Sequence, residues 1–304
     1  MRIPKTLRPD DLVLVVSPAF APDSKELNAG VEYLRLTGLR VELAANAGKN
    51  WGNFSGTDEE RRQDLQWALD HPEAKMIICS RGGYGCSRIF RDLDFTGFHR
   101  MPKWLAGFSD VTILHSLMQK EGFASIHGPM LVHYSRMLQI PACIRQQDVL
   151  LRHLSISYPV GYTGQEMSAA EVKGLLTGGN ISLLEYLMPE LSPEFFDDRI
   201  LFLEETDEPY YKIDRLLDRI FRAGLTGGLK AVVLGTFSGC QAQAFPLDTV
   251  AMIQEKAPGL PVFHGLPCGH GVPSMPLLMG YPASIVRKED GKWNFRQPGL
   301  PLFQ

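Results

Sequence analysis

Lys75-Met76-Ile77-Ile78-Cys79-Ser80-Arg81-Gly82-Gly83-Tyr84-Gly85 is the most informative stretch of the chain. Met76 to Cys79 is an apolar run with no polar interruption, which suits a strand buried on both faces. It passes directly into three glycines in four positions, a turn able to take φ > 0 and to let a ligand approach the backbone closely. The same texture recurs to either side. Leu12-Val13-Leu14-Val15-Val16 reads as a first strand, and Leu27, Val31 and Leu34 recur at helical spacing before Gly38, a helix stop. Arg40 to Ala45 reads as a second strand, and Thr57-Asp58-Glu59-Glu60 is a capping box opening a helix through about Asp70. Lys103 to Phe108 reads as a fourth strand, with a helix from Asp110 to about Lys120. This β-α-β-α rhythm predicts an α/β fold with a parallel sheet and helices on both faces. Ligands of such sheets bind outside the carboxyl ends of the strands, where the loops after Cys79 and Phe108 fall.

A helix from about Cys143 to Leu154 closes this half. Tyr158-Pro159-Val160-Gly161-Tyr162-Thr163-Gly164-Gln165 then reads as a connecting stretch, and a domain boundary is expected near residue 165, giving domains 1–165 and 166–304. Beyond it, strands are expected at Ile200–Glu204, Ala231–Thr236 and Pro261–His264, and helices at about Tyr211–Arg222 and Leu247–Lys256. Ser284 to Phe295 reads as a hairpin turning at Asp290-Gly291.

The bulk composition narrows the partners. The chain has 304 residues, is 44% hydrophobic and 21% charged, and carries a formal net charge of −3, so no nucleic-acid partner is expected. Met1-Arg2-Ile3-Pro4-Lys5 breaks into charge and proline before any useful apolar run, so no secretory signal is expected. No segment has the length needed to span a bilayer, and no membrane partner is expected. Cys79, Cys86, Cys143, Cys240 and Cys268 are odd in number, scattered and without a CxxC pair, which suits free thiols in a reducing cytoplasm.

Four segments carry residues able to do chemistry. In Gly107-Phe108-Ser109-Asp110 a serine projects from a sharp strand-to-helix turn, with helix amides beyond it suited to a developing oxyanion. This resembles a nucleophile elbow without the Gly-x-Ser-x-Gly spacing, and a simple helix cap by Ser109 or Asp110 is the competing reading. The loop Arg81 to Gly85 lacks both Gly-Lys-Ser/Thr and Gly-x-Gly-x-x-Gly, so it is no nucleotide-phosphate loop. It is either a tight turn without a ligand or a carboxylate site, with Arg81 as the cation. Ile200-Leu201-Phe202-Leu203 runs into Glu204, Glu205, Asp207 and Glu208. Glu204, at the strand's end and favoured over Glu205 by strand alternation, suits a buried carboxylate paired with histidine. A solvated acidic loop is the alternative for the others. His270 lies between Gly269 and Gly271 just past a strand, a good site for a mobile base. His264 is its rival, and His115 and His127 read as hydrogen-bonded core residues. No His-Glu-x-x-His or other close ligand pair occurs, so no metal site is expected. Serine, glutamate and histidine in this order, each at a strand end, could form a triad.

Six blocks occur in the order found in the LD-carboxypeptidase family. They are Arg81-Gly82-Gly83-Tyr84-Gly85; Gly107-Phe108-Ser109-Asp110 with Leu114-His115; His127-Gly128-Pro129; Gly178-Gly179-Asn180; Leu203-Glu204 with Glu208-Pro209 and Ile213-Asp214-Arg215; and Gly269-His270-Gly271. The chain resembles that family from Leu12 to the final hairpin. The resemblance implies an N-terminal α/β domain, a C-terminal β-rich α+β domain and an active site in the cleft between them. It also implies a triad of Ser109, Glu204 and His270 without a cofactor. The implied activity is removal of terminal D-Ala from murein tetrapeptide in the cytoplasm during peptidoglycan recycling, in a protein often homodimeric. The amides of Gly83 and Asp110 would then form the oxyanion hole, and Arg81, Gly82 and Tyr84 would bind substrate.

A related branch, the microcin immunity peptidases, shares the triad but cleaves a peptide–nucleotide conjugate. Its loop after the third strand tends to lack Arg and Tyr, so Arg81 and Tyr84 favour the murein branch. A non-catalytic small-ligand binding protein would explain the glycine-rich loop and the topology. It would not explain Ser109, Glu204 and His270 together.

Overall fold

Strands form where the first half of the chain places its apolar runs: β1 (Leu12–Val16), β2 (Arg40–Leu43), β3 (Met76–Cys79), β4 (Trp104–Gly107) and β5 (Ser125–His127). All pair in parallel, in the order β5-β4-β3-β1-β2. Every residue of β1, β3 and β4 is buried, as their uninterrupted apolar composition requires of inner strands covered on both faces. The computed structural model describes residues 1–301 other than 165, 166, 223, 225, 226 and 243.

The connecting helices are α1 (Ser24–Leu36), α2 (Asp58–Asp70), α3 (Cys86–Ile89), α4 (Thr96–Arg100), α5 (Thr112–Lys120) and α6 (Ile140–Arg152). The Asp23 carboxylate caps α1 by accepting from the Lys25 and Glu26 amides at 2.9 and 3.1 Å. The capping box of α2 is complete: Thr57 Oγ1 accepts from the Glu60 amide at 3.2 Å, and the Glu60 carboxylate accepts from the Thr57 amide at 2.9 Å. A cap of this kind contributes about 1 kcal/mol.

Contacts divide the chain into two units. One holds Met1–Leu154, Val272–Leu277 and the residues from Leu300; the other holds Ser155–Gly271 and Leu278–Gly299. The boundary expected near residue 165 falls on residues 165 and 166, which lie outside the described ones.

The second unit is built on β6 (Ile156–Tyr162), β7 (Glu171–Asn180), β8 (Arg199–Thr206), β9 (Ala231–Ser238), β10 (Val262–His264), β12 (Pro282–Arg287) and β13 (Trp293–Gln297); the short β11 (Leu277–Met279) precedes β12. These seven close into a barrel in the order β10-β6-β13-β12-β7-β8-β9. β7 to β10 run parallel, and β6, β12 and β13 join antiparallel. Helices α7 (Ile181–Leu187), α8 (Tyr210–Arg222) and α9 (Thr249–Lys256) follow β7, β8 and β9 in turn. α8 buries Ile213, Leu216, Leu217, Ile220 and Phe221, one face at helical spacing.

One expectation needs correction. Tyr158 to Tyr162 are not a connection but part of β6, in which Ile156, Tyr158 and Val160 are buried in alternation. Pro159 and Gly161 hide the strand in the sequence. Proline is tolerated because β10 pairs only with Gly161 and Tyr162, which leaves that flank of β6 unpaired at Pro159.

Candidate active site

The fourth strand ends at Gly107, and the backbone then turns sharply. Ser109 has φ 65° and opens a 3-10 turn, Ser109–Val111, that leads into α5. Left-handed backbone at a non-glycine residue costs on the order of 1 kcal/mol or more, so the surroundings must impose it. The cap positions are Phe108 and Val111, neither with a side-chain cap bond, and an N-cap residue is extended, as Ser109 is not. Ser109 thus has the backbone of an elbow. A Cβ at Gly107 would lie 2.9 Å from a Val111 methyl, so only glycine permits the turn.

Two buried polar side chains hold this elbow. His115 Nε2 donates to the Gly107 carbonyl at 2.9 Å, and its Nδ1 accepts from Ser125 Oγ at 2.8 Å. Burial pushes the His115 pKa down to about 4, so it is a neutral brace. The Asp110 carboxylate accepts from the Cys86 amide at 2.8 Å and so ties the elbow to the start of α3, just past the glycine-rich loop. Burial raises its pKa, with the bonds from Cys86 opposing.

The loop and the elbow are neighbours. A Cβ at Gly82 would lie 3.1 Å from Ser109 Cβ and 3.4 Å from its Oγ. Gly83, at φ 118°, faces the Phe20 ring, which a Cβ there would enter at 2.4 Å. Arg81 Nη1 donates to the Ala21 carbonyl at 3.2 Å. Tyr84 is 46% exposed, with its ring 6.1 Å from that of Phe54.

In the second unit Glu204, fully buried near the end of β8, meets His270 from the loop after β10. His270 Nδ1 and Glu204 Oε2 are 2.6 Å apart, and the His270 amide donates to the same oxygen at 3.2 Å. Glu204 Oε1 is buried with no hydrogen-bond partner among the described residues. Burial works against charging His270, yet Glu204, then Glu205 and Asp207, outweigh it and leave the pKa raised above 6.5. With Nδ1 on the carboxylate, Nε2 is the atom that can take up and return a proton.

Glu205 points elsewhere. It accepts from Asn180 Nδ2 at 2.7 Å and from the Ser182 amide and hydroxyl at 3.0 and 2.8 Å, at the start of α7, and burial raises its pKa. Gly178 before it must be glycine, because a Cβ would fall 2.0 Å from the Phe202 carbonyl oxygen. His264 Nε2 lies 3.1 Å from Thr163 Oγ1. Among the described residues no group of three or more His, Cys, Asp or Glu side chains could hold a metal ion, and no helix is long and apolar enough to cross a membrane.

Comparison with known proteins bears on both units. The LD-carboxypeptidase N-terminal domain matches residues 13–128, and the LD-carboxypeptidase C-terminal domain matches residues 173–285. The murein tetrapeptide carboxypeptidase of Pseudomonas aeruginosa is 30% identical over 86% of this chain and 89% of its own. The solved muramoyltetrapeptide carboxypeptidase from Oxalobacter formigenes superposes with a TM-score of 0.80 at 25% identity, covering 96% of this chain and 100% of that one. Microcin immunity protein MccF, solved with glutamyl sulfamoyl guanosine, shares the fold with a TM-score of 0.84 at 20% identity over 99% of both chains. This chain belongs to the LD-carboxypeptidase family.

Proposed function

We propose that the protein is a serine carboxypeptidase that releases the terminal D-Ala of murein tetrapeptide by cleaving its L,D peptide bond. The observation that carries the serine assignment is the left-handed backbone of Ser109 at the end of β4. Ser109 Oγ attacks the carbonyl while His270 Nε2 takes its proton, and the protonated imidazole then returns that proton to the departing D-Ala amine. Water releases the acyl group by the same steps in reverse order. Glu204 keeps Nδ1 protonated and stabilises the imidazolium. The amides of Gly83 and Asp110 receive the oxyanion, and Gly82 leaves room beside Ser109 for the substrate. We place the reaction in the cytoplasm and expect a homodimer.

Incubation with murein tetrapeptide and mass spectrometry should show loss of one alanine. No loss at high enzyme concentration would refute the reading. A peptide–nucleotide conjugate serves as the control substrate, and the retained Arg81 and Tyr84 favour the tetrapeptide.

Two further outcomes are expected. Because His270 must be neutral to accept the serine proton and its pKa is raised, kcat/KM should climb with pH through a midpoint above 6.5. A midpoint below that value would exclude His270 in this environment as the base. Arg81→Ala should raise KM about tenfold or more with little change in kcat, since a guanidinium holding the substrate carboxylate contributes chiefly to binding. An unchanged KM removes Arg81 from that role.

A further inference from the structure

The segment that carries His270 is fastened to the barrel at one irregular place. β8 and β9 are in register at Leu203 with Leu234 and again at Glu205 with Phe237, so Gly235 and Thr236 together stand opposite Glu204. Such a bulge turns side chains out of the regular alternation. Here it presents Thr236 to the loop beyond β10. The Thr236 amide donates to the Cys268 carbonyl at 2.9 Å, and Thr236 Oγ1 donates to the same oxygen at 3.2 Å. A Cβ on Gly271 would lie 2.6 Å from the Thr236 methyl, so the glycine after His270 is seated on that methyl. On the other side Gly269 is packed on the Glu204 side chain, where a Cβ would fall 2.7 Å from Oε2. Upstream, the Leu266 amide donates to the Leu234 carbonyl at 3.1 Å.

We propose that Thr236 is a positioning residue for the reaction: through Cys268 and Gly271 it fixes the backbone on both sides of His270, and so sets the imidazole on Glu204. The role rests on the proposed function, in which His270 is the base. Side-chain size separates the two contacts. Valine keeps the methyl on Gly271 and the backbone amide but loses the hydroxyl donor, whereas serine keeps the hydroxyl and loses the methyl.

Thr236→Val should lower kcat on murein tetrapeptide on the order of tenfold with KM unchanged, because a base held loosely reduces turnover without weakening binding. The low-field proton resonance of His270 Nδ1–H, assigned by its absence in His270→Ala, should move upfield. Thr236→Ser should restore both. Wild-type kcat and an unmoved resonance in Thr236→Val overturn the proposal, as does a lowered Tm with both readouts intact. Equal losses in the valine and serine variants would show that the hydroxyl donor does not account for the effect and would overturn the proposal. The resonance needs no turnover, so it tests the positioning by itself. Should His270→Ala retain full activity, the catalytic reading fails independently of Thr236.

Discussion

Ser109→Ala is expected to lose on the order of 10⁶-fold in kcat on murein tetrapeptide while still binding it. Alanine tolerates φ 65° no worse than serine does, so the elbow should keep its shape and the loss should be chemical. The loop at Gly82, the Asp110 carboxylate on Cys86 and the His115 brace do not depend on the hydroxyl for the contacts described. A serine-directed fluorophosphonate should label the wild type and not the variant. No neighbouring thiol can take over, because burial raises the pKa of both Cys79 and Cys86 and keeps them protonated. Full turnover by Ser109→Ala would remove the serine from the mechanism.

Glu204→Gln should cost about 10⁴-fold in kcat, the scale found when the carboxylate of a triad becomes an amide. Oε2 accepts from both the backbone and the ring of His270, at 3.2 and 2.6 Å, and an amide oxygen can replace those acceptances only without the charge. The amide nitrogen would then occupy the place of Oε1, buried with no partner among the described residues, and leave a donor unsatisfied. Turning the amide round instead would aim its donor at Nδ1 and force the wrong tautomer. In either case the imidazolium loses its counter-charge. The midpoint of the rising pH limb should therefore fall as well, which a purely structural defect would not cause. A variant with wild-type kcat and pH profile would show that Glu204 does not orient the base.

What could be read in the sequence was local. The Thr57 capping box, the helical spacing of Leu27, Val31 and Leu34, and the apolar runs of β1, β3 and β4 are each complete within a few residues. The turn at Ser109 could be located, but its left-handed backbone could not, because the bonds that brace it come from His115 and Cys86. Glu204 and His270 could be paired from their residue types and order, though the sequence could not place them together. Their 2.6 Å contact joins positions 66 residues apart, and no spacing rule predicts it. Barrel closure was hidden for the same reason, since β6 pairs with β10 and β13 near the far end of the chain. Thr236 gave no signal, because a bulge is a property of two strands and Gly235-Thr236 reads as an ordinary strand end.

The closed barrel also bears on how the protein behaves at high concentration. A seven-stranded ring has no terminal strand, so apart from the short flank of β6 beside Pro159 its amides and carbonyls offer no template for a strand from another molecule. One edge of the parallel sheet is β2, which is only four residues long and has Arg40 and Glu42 exposed. Short length and outward charge are what discourage edge-to-edge growth. Clumping of folded molecules through added strands is thereby disfavoured at the barrel and along the β2 edge.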